Sequence, residues 1–154
     1  MMTSLSCDVL KALAGKTLVT AESCTGGGIG AALTAIPGSS RVYKGGIISY
    51  TNWVKNRILG VPEELLEQFG AVSEPVALAM AEGARKSLQA DVAVSVTGLA
   101  VPDGDDRGTP VGTVFIGYCD AEKSCVQKFS FEGNRRQVQK EAICAALKII
   151  LQNH

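Results

Sequence analysis

Short runs of β-branched and apolar residues alternate along the chain with longer stretches in which apolar residues recur every three or four positions. The first pattern is typical of buried strands, and the second is typical of helices that bury one face. The helical pattern covers residues 5–13, 26–36, 52–60, 62–70, 73–88 and 133–150, and the strand pattern covers residues 18–21, 42–50, 91–96, 111–119 and 125–131. Strands that alternate with helices and end in a hairpin predict an α/β domain whose mixed sheet is covered by helices. One such domain is expected over residues 1–154.

The balance of charges argues against nucleic acid and membranes as partners. The chain of 154 residues carries 15 basic and 15 acidic side chains, and 46% of its residues are hydrophobic. No basic excess is present to attract phosphate backbones or anionic lipids, and no apolar run approaches the ~20 residues that span a bilayer. The stretch Met1–Ser4 does not begin a signal peptide. Because the five cysteines form no C-x-x-C pair, we expect free thiols in a cytoplasmic protein.

The single histidine restricts the chemistry that the chain can perform. His154 is the last residue, where chains usually fray, so Ser-His-Asp, Cys-His and histidine-rich metal sites are not expected. If the protein catalyses a reaction, its base is therefore a Lys, Asp, Glu or Tyr side chain. Asp103, Asp105 and Asp106 alternate with a glycine but lack the final glutamate of a calcium loop, so we interpret them as a solvated acidic loop. Neither a metal nor a cofactor is predicted.

The segment between the first predicted strand and the next helix concentrates reactive side chains. Ser23, Cys24 and Thr25 are followed there by glycines at positions 26, 27 and 28, and Thr25 is a candidate N-cap. Ligands of open α/β sheets bind at the carboxyl ends of strands, and free N–H groups at a helix start can hold an anion or a developing oxyanion. Two simpler interpretations remain open: Ser23 could bond only to the backbone, and the glycines could serve only close helix–sheet packing.

Seven short motifs in register are shared with one known family. They are Ala21-Glu22-Ser23-Cys24-Thr25-Gly26-Gly27, Pro37-Gly38-Ser39-Ser40, Tyr50-Thr51-Asn52 with Lys55, Leu59-Gly60-Val61, Gly70-Ala71-Val72-Ser73-Glu74, Thr97-Gly98-Leu99-Ala100 and Pro110-Val111-Gly112-Thr113-Val114. In these motifs the chain resembles the C-terminal domain of the CinA family, the nicotinamide-nucleotide amidases, from about residue 5 to residue 150. The resemblance implies a three-layer α/β/α fold with a mixed, mostly parallel sheet. It also implies a homodimer.

The resemblance implies a hydrolase of the pyridine nucleotide cycle, which serves NAD salvage. Its small-molecule substrate would be nicotinamide mononucleotide, whose carboxamide is converted to nicotinate mononucleotide and ammonia. In the family the serine that matches Ser23 is paired with the lysine that matches Lys55. A lysine acts as a base only when it is neutral, so its pKa must fall through burial or a positive potential, and a place in the first turn of a helix would supply such a potential through the helix dipole. Lys55 could otherwise be a solvated surface residue, and Cys24 is the rival nucleophile.

The remaining candidates would bind the ribose, the phosphate or the oxyanion. They are Glu22, Thr25, Gly26, Gly27, Ser39, Ser40, Tyr50, Asn52, Thr97, Gly98 and Arg135. The guanidinium of Arg135 suits a phosphate through its fork of donors, whereas the serines and glycines could equally serve ordinary turns. Glu22 could orient Lys55, bind a ribose hydroxyl or pair with a buried cation.

Two positions depart from the family pattern. Val101 stands where a second glycine is usual, and Asn134 stands where an aspartate commonly precedes Arg135. A side chain at position 101 could narrow a pocket lined by bare backbone. These departures support an alternative hypothesis, a catalytically weakened nucleotide-binding or competence-associated partner module.

Overall fold

The computed structural model describes all 154 residues as six α-helices, one 3-10 helix and five strands. The helices are α1 (Met2–Ala12), α2 (Gly28–Thr34), α3 (Asn52–Arg57), α4 (Glu63–Phe69), α5 (Glu74–Ser87) and α6 (Arg135–Gln152), and the 3-10 helix is Ser39–Arg41. The strands are β1 (Leu18–Glu22), β2 (Tyr43–Ile48), β3 (Val92–Gly98), β4 (Thr113–Cys119) and β5 (Ser124–Ser130). All eleven predicted helices and strands are present. No helix is both long enough and apolar enough to cross a membrane.

The five strands form one mixed sheet in the order β2-β1-β3-β4-β5. Strand β1 pairs in parallel with both β2 and β3, whereas β4 is antiparallel to β3 and to β5. The β4–β5 pair is antiparallel because these two strands are joined by a tight hairpin at residues 120–123, as the sequence predicts. The expectation of an α/β fold with a mixed sheet is confirmed, with two parallel and two antiparallel pairings.

Helices cover both faces of the sheet and produce two separate cores. Helices α1, α2 and α6 bury their apolar faces on one side of the sheet, in the larger cluster of 22 buried residues. Helices α4 and α5 cover the other side with a cluster of 12. All five residues of β1 are buried, because this strand is central and neighbouring side chains point to opposite cores.

The topology places a crevice at the carboxyl end of β1. The chain leaves β1 through α2 on one face and reaches β2, and it then crosses by α3, α4 and α5 on the other face to reach β3. Strands β2 and β3 therefore lie on either side of β1, and the connections that lead to them run over opposite faces of the sheet. This is the switch point at which open α/β sheets bind their ligands.

Candidate active site

Ser23 follows β1 directly and lies at the switch point. Its N–H donates to the Val96 carbonyl of the neighbouring strand β3 at 2.9 Å, and its own carbonyl accepts from the Gly26 N–H at 3.0 Å. These two bonds fix the backbone of the turn, and Ser23 is 6% exposed. The hydroxyl is thus held where the sequence places the nucleophile.

Lys55 meets Ser23 from α3. Its Nζ atom lies 3.1 Å from Ser23 Oγ and donates to the carbonyls of Ser49 at 2.8 Å and Tyr50 at 3.1 Å. Helix α3 begins after Thr51, whose hydroxyl accepts from the Val54 N–H as an N-cap. The structure therefore brings the two predicted catalytic residues together across 32 positions of sequence.

Lys55 is 1% exposed, and burial lowers its pKa to about 8. Burial has this effect because an ammonium ion loses hydration that the protein only partly replaces. No carboxylate compensates, since the single ion pair in the structure joins Arg135 and Asp103. Of the two predicted causes of the shift, burial is confirmed and a place in the first turn of a helix is wrong. Helix α3 has only six residues and Lys55 is the fourth, in its last turn, so the helix dipole does not account for the lowered pKa.

The three contacts of Lys55 Nζ suit a neutral amine. A neutral amine has two hydrogens and one lone pair. The carbonyls of Ser49 and Tyr50 take the two hydrogens, which leaves the lone pair for the Ser23 hydroxyl proton. In the protonated state the third hydrogen points at Ser23 Oγ instead. The site can therefore hold the proton on either partner without rearrangement.

Glu22 holds α2 and has no contact with Lys55. Its Oε1 atom accepts from the Thr25 hydroxyl and the Ile29 N–H, both at 2.8 Å. Its Oε2 atom accepts from the Thr20 hydroxyl at 3.1 Å and the Gly30 N–H at 3.0 Å. All four lone pairs are used, so the carboxylate occupies the start of α2 where an external anion was predicted. None of the three roles considered for Glu22 describes it.

Cys24 is poorly suited to act as a nucleophile. Its side chain is 5% exposed within the larger core, and burial raises the pKa of its thiol to about 12. A thiol with such a pKa carries almost no thiolate at neutral pH. The carbonyl of Cys24 accepts a hydrogen bond from the Gln139 side chain on α6 at 3.0 Å. The geometry favours Ser23 over Cys24.

The turn keeps three N–H groups without a partner. The Gly26 N–H donates to Ser23, and the Gly28 N–H donates to the Thr25 carbonyl at 3.0 Å. The N–H groups of Cys24, Thr25 and Gly27 make no hydrogen bond within the protein. The predicted N-cap at Thr25 is wrong: Gly27 precedes α2 with a φ of 102°, a conformation that favours glycine, and the Thr25 hydroxyl serves Glu22.

Tyr50 and Arg135 connect the site to the loop that follows β3. The Tyr50 hydroxyl accepts from Arg135 Nη2 at 2.9 Å. Arg135 Nη1 donates to the Asp103 carboxylate at 3.1 Å and to the Ala100 carbonyl at 3.2 Å. A phosphate would therefore have to compete with Asp103 for this guanidinium. Val101, whose carbonyl lies 3.5 Å from the same Nη1 atom, is 39% exposed.

The other predicted binding residues are distributed along the fold. Thr97 and Gly98 end β3 beside β1, where the Thr97 hydroxyl donates to the Ala71 carbonyl at 2.8 Å. Asn52 begins α3 and its side chain makes no hydrogen bond. Ser39 and Ser40 precede β2 and thus lie at the amino end of the sheet, opposite Ser23. The structure does not bring these two serines to the Ser23–Lys55 pair.

Sequence reasoning missed two contributors to the site. The Ser49 carbonyl and the Gln139 side chain act through backbone hydrogen bonds, to Lys55 and Cys24 respectively. Every residue has a backbone carbonyl, so the sequence does not show which carbonyl accepts a given hydrogen bond. Asn134 is explained by the structure as the N-cap of α6, where it forms a capping box with Gln137. It does not indicate a weakened site.

Known proteins share this sequence and this fold. A family model described as "CinA C-terminal domain" matches residues 2–154. The nicotinamide-nucleotide amidohydrolase PncC of Pseudomonas putida is 45% identical over 135 residues, which are 88% of this chain and 84% of that protein. A CinA-like protein of Parasynechococcus marenigrum (strain WH8102) is 50% identical over 135 residues. The match covers 86% of this chain but 32% of that protein, so the chain spans about a third of this longer relative.

Solved structures show the same architecture. A competence-damaged protein (CinA) superfamily protein from Escherichia coli superposes with a TM-score of 0.97 at 35% sequence identity. The superposition covers 100% of this chain and 91% of that one. The competence/damage inducible protein CihA of Agrobacterium tumefaciens gives a TM-score of 0.96 at 36% identity, over 99% and 96% of the two chains.

Proposed function

This chain belongs to the CinA C-terminal domain family, and from that premise we propose that it is a nicotinamide-nucleotide amidase with Ser23 as nucleophile and Lys55 as base. The observation that carries the proposal is the 3.1 Å contact between Ser23 Oγ and a buried Lys55 amine that has no counter-ion. Its substrate would be nicotinamide mononucleotide, and its products would be nicotinate mononucleotide and ammonia. The relative named nicotinamide-nucleotide amidohydrolase, of which this chain matches 84% of the length, supports this choice of substrate.

The proposed reaction has two halves that use the same pair. In the first half Ser23 Oγ attacks the carboxamide carbon while the neutral Lys55 amine takes the hydroxyl proton. The tetrahedral intermediate collapses, the C–N bond breaks, and Lys55 returns its proton to the departing ammonia. In the second half a water molecule attacks the ester on Ser23, and Lys55 takes a proton from this water. The ester bond breaks, the Ser23 hydroxyl regains the proton, and the acid is released.

We test the proposal by measuring ammonia release from nicotinamide mononucleotide. Ser23→Ala removes the attacking oxygen and Lys55→Ala removes the base, so each variant should lose at least a hundredfold in kcat. Cys24→Ala should retain most of the activity, because the thiol of Cys24 is protonated and buried. Matched controls are Ser87→Ala and Lys148→Ala, exposed positions on α5 and α6 that should leave kcat unchanged.

Two results would remove the proposed mechanism. Full activity of Ser23→Ala or Lys55→Ala would exclude the pair as nucleophile and base. Binding of nicotinamide mononucleotide by calorimetry without ammonia release at any pH between 6 and 10 would instead favour the nucleotide-binding module. In that case Val101→Gly tests whether the side chain at position 101 is what blocks turnover.

A further inference from the structure

The turn after β1 contains two backbone donors without an acceptor, on the buried residues Cys24 and Thr25. Thr25 is 6% exposed, and its N–H makes no hydrogen bond in the protein. Nearly all buried backbone N–H groups are paired, because an unpaired one forfeits the hydration that it has in the unfolded chain. Here the neighbouring N–H groups of Gly26 and Gly28 are both satisfied within the turn. The N–H groups of Cys24 and Thr25 are therefore the donors on buried residues that the fold leaves open for a ligand.

The direction of this N–H is set by a residue on α6. The Thr25 N–H and the Cys24 carbonyl belong to one planar trans peptide unit, in which they point in opposite directions. Gln139 Nε2 donates to the Cys24 carbonyl at 3.0 Å, which turns that carbonyl toward α6. The Thr25 N–H must consequently point away from α6.

Helix α6 and the segment that follows α3 enter the two opposite cores. Helix α6 packs with α1 and α2 in the larger core, together with the Cys24 side chain. Lys55 lies on α3, and its backbone carbonyl accepts a hydrogen bond from the Val61 N–H. Val61 is buried in the smaller core, on the other face of the sheet from α6. A peptide unit whose carbonyl faces α6 thus presents its N–H away from the core that α6 covers.

We propose that Gln139 is a positioning residue for the amidase reaction: by holding the Cys24 carbonyl, it aims the Thr25 N–H at the oxyanion that forms when Ser23 attacks the substrate. This inference rests on the proposed function, because the oxyanion forms only if Ser23 attacks a carbonyl carbon of the substrate. Gln139 itself touches neither substrate nor Ser23. Its role requires a side chain that donates a hydrogen bond, since a carbonyl can only accept.

The expected fall in kcat follows from how much one oriented hydrogen-bond donor stabilises an oxyanion. Removing one donor from an oxyanion site typically costs ~10²–10³ in kcat. Loss of Gln139 would leave the donor in place but free to turn, so we expect a fall of roughly ten- to a hundredfold in kcat. Because the donor acts on the oxyanion, which exists only after attack, KM should stay within about twofold of the unaltered protein.

The experiment measures kcat and KM for nicotinamide mononucleotide in three variants. Gln139→Leu removes the donor, and Gln139→Glu places a carboxylate of the same length against the Cys24 carbonyl, so both should lose kcat at nearly constant KM. Gln139→Arg keeps a donor within reach of the carbonyl and should restore kcat to within about threefold. The matched control Gln152→Leu, on the last turn of α6, should leave kcat unchanged. The midpoint of the pH profile should be the same in all of them, because Gln139 does not contact Lys55.

Turnover of p-nitrophenyl acetate separates this inference from the choice of substrate. This ester shares no part of the nucleotide, yet its attack by Ser23 requires the same oxyanion site. If the protein hydrolyses the ester but not the nucleotide, the proposed substrate is wrong and the ester rates test Gln139 alone. Unaltered kcat in Gln139→Leu, or a Gln139→Arg variant as impaired as Gln139→Leu, would overturn the inference. A protein inactive on both compounds would overturn it together with the proposed function.

Discussion

At the scale of single residues, the dominant feature is an amine that is buried without a counter-ion. A pKa of about 8 for Lys55, against an ordinary value of 10.5, corresponds to about 3 kcal/mol at 1.36 kcal/mol per unit. Between pH 8 and 10.5 the unfolded chain binds more protons at this residue than the folded chain does. The free energy of unfolding should therefore rise with pH through this window and be lower below pH 8. The buried amine that the proposed reaction uses as a base therefore lowers the free energy of unfolding.

Arg135 leads to a prediction about the substrate's phosphate. Its guanidinium pairs with Asp103, whose side chain is 66% exposed, and an exposed ion pair is worth about 0.2–1 kcal/mol. If Arg135 binds the phosphate, Asp103→Asn should lower KM for nicotinamide mononucleotide by up to about fivefold, because the competing charge is gone. The measurement is a comparison of KM values for the nucleotide and for its riboside, which lacks the phosphate. Equal changes for both compounds would assign the phosphate to another residue.

At the scale of elements, the position of α3 depends on how closely α5 approaches it. A Cβ atom on Gly83 of α5 would overlap the Leu59 carbonyl oxygen, just beyond the C-terminus of α3. The amides of Leu59 and Val61 bond back to the carbonyls of Val54 and Lys55. Any shift of this segment is thus transmitted to the turn of α3 that carries the amine. Gly83 is a helix-interior glycine whose function is to permit this approach.

Gly83→Ala should destabilise the protein and reduce its activity. Helix propensity alone would favour alanine by about 1 kcal/mol, but overlap with a backbone oxygen costs about 1–3 kcal/mol and cannot be relieved by a rotamer change. We expect the melting temperature to fall by about 5 °C and kcat to fall with it. Gly104→Ala is the matched control, because a Cβ atom there meets no neighbour within 4 Å. A Gly83→Ala variant as stable and active as this control would show that the approach is not needed.

At the scale of the whole molecule, the sequence predicted the order of the helices and strands and the Ser23–Lys55 pair at the switch point. It did not predict contacts that depend on tertiary geometry rather than on residue type. The strands and helices were readable because burial imposes a period of two or of about 3.6 on the apolar residues. Ser23 and Lys55 were identified by resemblance to a family. The pairing of Glu22 with the start of α2 and of Gln139 with the Cys24 carbonyl depends on tertiary geometry, so neither could be predicted.

A titration of the Lys55 amine by NMR, with ¹³C-labelled lysine and assignment by comparison with Lys55→Ala, would determine whether the amine beside Ser23 is neutral at the pH of the reaction. We predict a midpoint near pH 8 for Lys55, where burial places its pKa, well below the ordinary lysine pKa of about 10.4. In the same buffers kcat/KM should rise with pH through the Lys55 midpoint, because only the neutral amine can accept the Ser23 proton. A Lys55 midpoint above pH 10, with activity independent of pH between 7 and 9, would contradict the account.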